Sequence, residues 1–379
     1  MQSKKSKLAV LLVIACVLLI LALSFTPPAL ARDRVFLDLS LDYLGEYKLP
    51  KTDFLNTPVE GISAITYDRR RDRFIAVSDN SSESAPARFY TLNMALDYTT
   101  KGTEIEKVEV ESVTFLGDKE AITPKGIALT PQQTVFISGY SNTNGQIAPF
   151  IREFDINGKM LQSLTIPERY LPDAINQKEQ TKGIRDRLTF ESLTFNPTGR
   201  IPTSGEPINL FTATSSALVQ DWQPDSSEQI KSRLLHYLIG YGSPSLIAEY
   251  YYPLEPTSLN NLVEILSIDR GGHFLSLERS SKQLDEKIFQ VTTGGATDTS
   301  KINSLKGEIR GVRPIQKKLL LDLNDLGIPL GDLQAMSFGP RLKDGTQSLL
   351  LVSHNDSDDR QTQFLLFRLG SQSQTIGKF

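Results

Sequence analysis

One unit recurs five times along this chain, and a fixed period of strand-like units restricts a fold more than any single motif does. Each copy opens with a polar residue and a short β-type run: Glu60-Gly61-Ile62-Ser63-Ala64-Ile65, Lys125-Gly126-Ile127-Ala128-Leu129, Glu191-Ser192-Leu193-Thr194-Phe195, Glu264-Ile265-Leu266-Ser267-Ile268 and Gln334-Ala335-Met336-Ser337-Phe338. The starts lie 65, 66, 73 and 70 residues apart. A turn rich in Pro, Gly, Asp or Arg follows each opening, then a second β-branched or aromatic run such as Phe74-Ile75-Ala76-Val77-Ser78 or Leu349-Leu350-Leu351-Val352-Ser353. A third run follows in every copy, and a fourth in all but the last. Runs of this kind bounded by turn residues read as strands. The pattern predicts an all-β chain, a β-propeller of about five four-stranded blades, with six as the alternative if a long insertion hides another. A two-sheet sandwich is the competing architecture. The last copy ends before its fourth strand, and Tyr43-Leu44-Gly45-Glu46-Tyr47-Lys48-Leu49 has the pattern to supply it. An N-terminal strand closing the ring in this way would leave no exposed sheet edge between first and last blades.

Residues 1–31 stand apart from the repeats. Lys4, Lys5 and Lys7 precede an uncharged stretch from Leu8 to Phe25, followed by Pro27, Pro28 and Ala29-Leu30-Ala31. That order of charge, apolar run and small residues is an export signal with a cleavage point after Ala31. The apolar run is also just long enough to remain as a membrane anchor over residues 8–25. Either outcome delivers residues 32–379, a single domain, to the periplasm or the exterior. Cys16, the one cysteine, lies inside the apolar run behind Val13-Ile14-Ala15, a loose fit to a lipid-attachment box. The exported domain therefore has no disulfide and is held by its core. Removing three lysines from 41 Lys+Arg leaves 38 against 44 Asp+Glu, so no basic surface calls for nucleic acid. The expected partner is a small-molecule ester or other small ligand, the membrane is met only through the N-terminal segment, and the domain is expected to be a monomer.

In a propeller blade the first strand lines the central channel and the second runs antiparallel to it, so the start of one and the end of the other meet at the same face. This places Glu60 with Asp79 and Asn80, Lys125 with Tyr140 and Ser141, and Glu191 with Thr214 and Ser215. Glu264 falls with Glu278 and Arg279, and Gln334 with His354, Asn355 and Asp356. Three glutamates at equivalent positions, Glu60, Glu191 and Glu264, repel one another unless a cation, an arginine or protons neutralise them. An oxygen-rich ring suits Ca²⁺, whereas Lys125 and Arg279 offer neutralisation from within. Of the three histidines only His354 reaches this mouth; His236 and His273 do not. Gly-x-Ser-x-Gly is absent, and Gly240-Tyr241-Gly242 lacks the third glycine of a dinucleotide loop. Tyr250-Tyr251-Tyr252 reads as an outer strand with two buried rings.

Several segments together resemble a known family: Glu60-Gly61-Ile62-Ser63, Phe89-Tyr90-Thr91-Leu92, Glu278-Arg279-Ser280, and the closing stretch from Phe338-Gly339-Pro340-Arg341 through Leu350-Leu351-Val352-Ser353 to Gln363-Phe364-Leu365-Leu366-Phe367. They are similar to the phytase-like domain, also described as esterase-like activity of phytase. The resemblance covers about residues 40 to 370 and implies an extracytoplasmic propeller-like domain with phosphoesterase or esterase activity. The family usually has acidic residues where this chain has Lys125 and Gln334, and an aspartate where it has His354. Each replacement removes negative charge from the mouth and weakens the case for Ca²⁺. The working expectation is a hydrolase whose Glu60, Asp79, Glu191, Glu264 and Glu278 handle protons or, for Glu60, Glu191 and Glu264, a cation. Asn80, Lys125, Arg279, Gln334, His354, Asn355 and Asp356 would hold the substrate. The alternative is a non-catalytic propeller that binds a small ligand or an envelope partner through the same mouth.

Overall fold

The computed structural model describes residues 35–80, 86–99, 102–117, 121–143, 145–173, 179–197, 205–223, 229–240, 242–255, 260–280, 285–354 and 361–371. The chain divides into Met1–Leu37 and Asp38–Phe379, and all the strands among the described residues belong to the second unit. The expected signal or anchor, residues 1–31, lies outside the described residues, as do Asn355 and Asp356. No helix among the described residues is long and apolar enough to cross a membrane.

Strand β1 (Ser40–Leu49) and a short hairpin of β2 (Asp53–Phe54) and β3 (Thr57–Pro58) precede the first full sheet. That sheet is β4 (Ile62–Asp68), β5 (Arg73–Ser78), β6 (Arg88–Thr99) and β7 (Gly102–Phe115). The second is β8 (Ile122–Leu129), β9 (Thr134–Thr143), β10 (Gln146–Asp155) and β11 (Met160–Ser163). The third is β12 (Phe190–Phe195), β13 (Ile208–Thr214), β14 (Lys231–Ile239) and β15 (Ser245–Pro253). The fourth is β16 (Asn260–Ser267), β17 (His273–Ser280), β18 (Asp285–Thr292) and β19 (Gln316–Asp322). The last consists of β20 (Asp332–Arg341), β21 (Gln347–His354) and β22 (Thr362–Gly370), with β1 as its outer strand in the order β1-β22-β21-β20. Among the described residues these are five four-stranded antiparallel sheets, arranged in a ring as a five-bladed β-propeller. The N-terminal strand closes it, as Tyr47 pairing with Phe364 and Tyr43 packing on Phe367 at 5.5 Å record.

The innermost strands touch in sequence around the ring, β4 to β8 to β12 to β16 to β20 and back to β4. Each is covered on both faces by neighbouring blades, which is why it reads as a run of apolar and small residues without strict alternation. An apolar cluster fills every space between adjacent blades. Ala64, Val77 and Phe89 meet Ile127, Ile137 and Phe150 between the first and second; Ile65 and Tyr90 meet Ala335, Leu350 and Phe364 across the closure. Each fully buried Leu, Ile or Phe contributes about 1.5–3 kcal/mol, so these clusters carry the fold in the absence of disulfides. The connection from β18 to β19 crosses to the third blade, where Thr299 N–H donates to the Glu249 carbonyl and Ile315 N–H to that of Tyr251. It thereby covers an edge strand that would otherwise offer open hydrogen-bonding groups. Of the three tyrosines there, only Tyr252 is fully buried; Tyr250 and Tyr251 are half-buried, one buried ring fewer than the sequence suggested.

A β-bulge interrupts each innermost strand near its start. Ser63, Lys125, Glu191, Val263 and Gln334 are the extra residues, between Ile62/Ala64, Pro124/Gly126, Phe190/Ser192, Leu262/Glu264 and Leu333/Ala335. Bulges re-aim a side chain and increase local twist. Repeated around the ring, they set which residues face the mouth.

Candidate functional site

The bulges revise the equivalence drawn from the repeat pattern. Structurally, Lys125, Glu191 and Gln334 do correspond, but their counterparts are Ser63 in the first blade and Val263 in the fourth, not Glu60 and Glu264. The pattern had matched a polar residue followed by an apolar run, and two offsets defeat it. In the first blade, Gly61 turns the chain at φ +65° before the strand begins, so Glu60 stands outside it. In the fourth, Glu264 follows the bulge rather than forming it. One acidic residue, Glu191, therefore remains at the ring position where three were expected.

Asp79 is the centre of the mouth. It follows β5, and a β-carbon on Gly61 would lie 3.1 Å from its Oδ1 and 2.7 Å from Asn80 Cβ, so the approach needs glycine on steric grounds as well as for its positive φ. Lys125 Nζ donates to Asp79 Oδ2 at 2.6 Å, and His354 Nε2 lies 2.7 Å from Oδ1. One carboxylate thus joins three blades. Burial alone would raise the Asp79 carboxyl, but the His354 hydrogen bond and the Lys125 charge outweigh it and hold it below the ordinary carboxylate range. Burial would likewise lower Lys125, yet Glu191 and Asp79 hold its ammonium above the usual lysine range. Gly126, the next residue, lets the third blade approach: a β-carbon there would meet Ser138 Oγ at 2.5 Å and the Glu191 carbonyl at 2.9 Å.

Glu191 is buried, which raises its carboxyl; Lys125, Arg279 and His354 oppose the rise and Asp79 adds to it. Those four partners come from four other blades, so Glu191 feels the whole mouth. Arg279 completes the circuit: with the Gln334 amide oxygen turned toward it, Nη1 and Nη2 donate at 2.7 and 2.9 Å. Around the channel the groups run Asp79, Lys125, Glu191, Arg279, Gln334 and His354, cationic and acidic side chains in alternation before the neutral amide. Glu60 lies at the rim and accepts from Asn80 Nδ2 at 2.5 Å. Arg88, fully buried, holds the Asn80 carbonyl from behind at 2.7 Å.

Two expected members sit elsewhere. Glu264 is buried in the channel wall, where its Oε1 accepts from the Ile265 N–H at 3.0 Å; burial, reinforced by Glu191, pushes its carboxyl well up. Glu278 leaves the mouth because successive strand residues point to opposite faces, and Arg279 takes the inward position. Its carboxylate accepts from Tyr252 Oη at 2.7 Å, Lys317 Nζ at 2.6 Å and Asn260 Nδ2 at 3.0 Å between the third and fourth blades. His236 stacks on Phe211 at 4.1 Å and His273 pairs with Asp269, both away from the mouth as anticipated. Sequence reasoning missed Glu286, the cross-strand neighbour of Arg279. It is buried, accepts from the Leu333 N–H at 2.8 Å through Oε1, and leaves Oε2 without a partner among the described residues. Burial pushes its carboxyl up to about 8, against the Leu333 N–H and Arg279. Its position in the fourth blade's third strand gave no local signal.

These residues do not fit Ca²⁺. A hard cation needs six to eight converging oxygens. Here an ammonium group lies against Asp79, and Glu264 is turned to backbone amides. No group of three or more His, Cys, Asp or Glu among the described residues is placed to hold a metal ion. The arrangement suits an anion better: two cations, an imidazole oriented by a carboxylate, and a buried acid.

A family model described as Phytase-like, esterase-like activity of phytase, matches residues 57–357. No curated protein matches the chain at a significant level. Similar solved structures include a glycosyl hydrolase from Bacteroides ovatus, with 8% identity and a TM-score of 0.42, covering 88% of this chain and 94% of that one. The catalytic domain of an α-L-arabinofuranosidase from Coprinopsis cinerea has 12% identity and a TM-score of 0.40, over 88% and 98%. An endo-arabinase from Bacteroides thetaiotaomicron has 10% and 0.38, over 81% and 93%. At such values the likeness says nothing of activity.

Proposed function

The chain belongs to the phytase-like family, and from that premise we propose that it hydrolyses a small anionic ester, a phosphate monoester first among them, at the charged mouth of its channel. One observation carries the reading: Asp79 engages both Lys125 and His354 while buried Glu191 lies in the field of all three. Side chains with perturbed protonation gathered around specific charge partners are candidates for a functional site. In this proposal Asp79 orients His354, whose Nδ1 makes no hydrogen bond among the described residues and is the base that takes a proton from the attacking water. Lys125 and Arg279 bind the ester's anionic oxygens, which gain charge as the bond to water forms. Glu191, held toward its protonated form, gives its proton to the departing alkoxide. The proton lost from water reaches bulk solvent from His354, and Glu191 is reprotonated. Export to the cell envelope belongs to the same proposal, on the strength of residues 1–31.

The test is turnover of para-nitrophenyl phosphate and para-nitrophenyl acetate by the exported domain, with and without Ca²⁺. Expected is phosphatase activity independent of Ca²⁺, lowered about 100-fold or more by His354→Ala, and by Glu191→Gln when an alkyl phosphate, whose alkoxide needs a proton to leave, replaces the para-nitrophenyl ester. Lys125→Met should raise KM and lower kcat. The alternative, a non-catalytic binding propeller, is favoured by one fact: Lys125, Arg279 and Glu60 each have a protein partner with which a substrate must compete. Phosphate binding without turnover of either ester, in a folded protein, would select it.

A further inference from the structure

At the far end of the channel the innermost strands open into a second concavity of about 640 Å³, lined by residues from all of them. It begins a few residues beyond each bulge, roughly 10 Å further along at about 3.3 Å per residue, and so lies on the opposite face from the charged mouth. Its lining is mixed: Ile127, Leu193 and Met336 are buried in it, and Tyr67, Phe195 and Phe338 are half-buried. Polar side chains including Asn196, Gln347 and Arg341 border it, Arg341 Nη1 donating to the Gly345 carbonyl at 2.8 Å. The hydroxyl groups that border it are engaged by the fold: Thr194 Oγ1 accepts from Ser267 N–H at 3.0 Å, Ser267 Oγ donates to Asn196 Oδ1 at 2.8 Å, and Ser337 Oγ to the Phe338 carbonyl at 2.9 Å. At its lip, Arg69 in the β4–β5 turn is exposed and forms no hydrogen bond or ion pair among the described residues.

We propose that this concavity is a separate binding site for an amphipathic monoanion, its apolar body within the funnel and its carboxylate or sulfonate on Arg69. The volume is that of an ordinary small-ligand site. Apolar side chains in its interior with one guanidinium at the opening not engaged by the fold, Arg341 being bonded to the Gly345 carbonyl, suit one anionic group on an apolar body. Nothing in it depends on hydrolysis at the other mouth.

The test uses the uncharged fluorophore N-phenyl-1-naphthylamine and dodecanoate on the full chain. Expected are saturable one-to-one binding of the fluorophore and its displacement by dodecanoate. Arg69→Glu should weaken dodecanoate about tenfold while leaving the fluorophore's affinity unchanged. Leu193→Trp should weaken both, and if that variant does not fold, Arg69→Glu on an exposed turn still decides. Lys125→Met should alter neither. The proposal is overturned by no saturable binding, by equal dodecanoate affinity in Arg69→Glu, by loss of binding in Lys125→Met, or by binding only to phosphatidylglycerol vesicles.

Discussion

Glu286 shows what a single buried carboxyl does to stability. Its folded value of about 8 stands above the ordinary 4.5, so between those values the native state binds more protons than the unfolded state. Stability from this group is present below about pH 4.5 and is lost as pH rises toward 8. At 1.36 kcal/mol per pH unit the upper bound is on the order of 4–5 kcal/mol. Glu286→Gln keeps an acceptor for the Leu333 N–H, so it should match the natural protein at pH 5 and melt at a higher temperature at pH 8.5. Parallel melting curves at both pH values would show that Glu286 carries its charge in the fold. Gly61→Ala tests the approach of Asp79. A positive φ together with a contact of 2.7 Å to Asn80 Cβ should cost about 1–3 kcal/mol, seen as a lower Tm, and should lower turnover by displacing Asp79. At this scale the sequence was legible where neighbours along the chain decide the outcome. Asp79, Lys125 and His354 follow from strand starts and ends. The inward turn of Arg279 rather than Glu278, and the partnership of Glu278 with Lys317, depend on strand register and on a contact 39 residues away.

Among the elements, β1 has the largest consequence for its length. It supplies the outer strand of the last blade, from Ser40 opposite Gly370 to Leu49 opposite Thr362. A chain beginning near Lys51 would expose β22 as an unpaired edge, and loss of cooperative melting or aggregation is expected. Retention of the full-length Tm would refute closure by this strand. The third blade has a different support. Arg233, fully buried, donates to Asp221 at 2.7 and 3.1 Å and also pairs with Glu249. Arg233→Met leaves buried Asp221 without its cation and Glu249 with Arg169 alone, and a destabilisation of about 3–5 kcal/mol by denaturant titration is expected. Strands were readable because turn residues bracket runs of β-branched and aromatic residues. Bulges were not, since an extra residue in a strand changes neither composition nor period enough to show. In two of the five blades the residue inferred for the ring lies off the bulge, by three positions in the first and one in the fourth.

For the whole molecule, the repeat was sufficient to give the ring, its five blades and its closure, because each blade buries its faces only against the next. Charge at the mouth was harder to read. It results from side chains of all five blades meeting at one point, and Lys125 in place of an acidic residue changes the kind of ligand that point accepts. An ammonium group 4 Å from Ca²⁺ opposes it by about 8 kcal/mol at an effective dielectric of 20, twice the value for two unit charges, while the same group attracts a phosphate. Calorimetric titration with Ca²⁺ of the natural chain and of Lys125→Glu combined with Gln334→Glu addresses this directly. Expected are weak or undetectable binding by the natural chain and a clear gain of affinity, with a Ca²⁺-dependent rise in Tm, in the double variant. Tight Ca²⁺ binding by the natural chain that Glu60→Gln abolishes would contradict a mouth neutralised by its own lysine and arginine, and would make metal-assisted hydrolysis the better description.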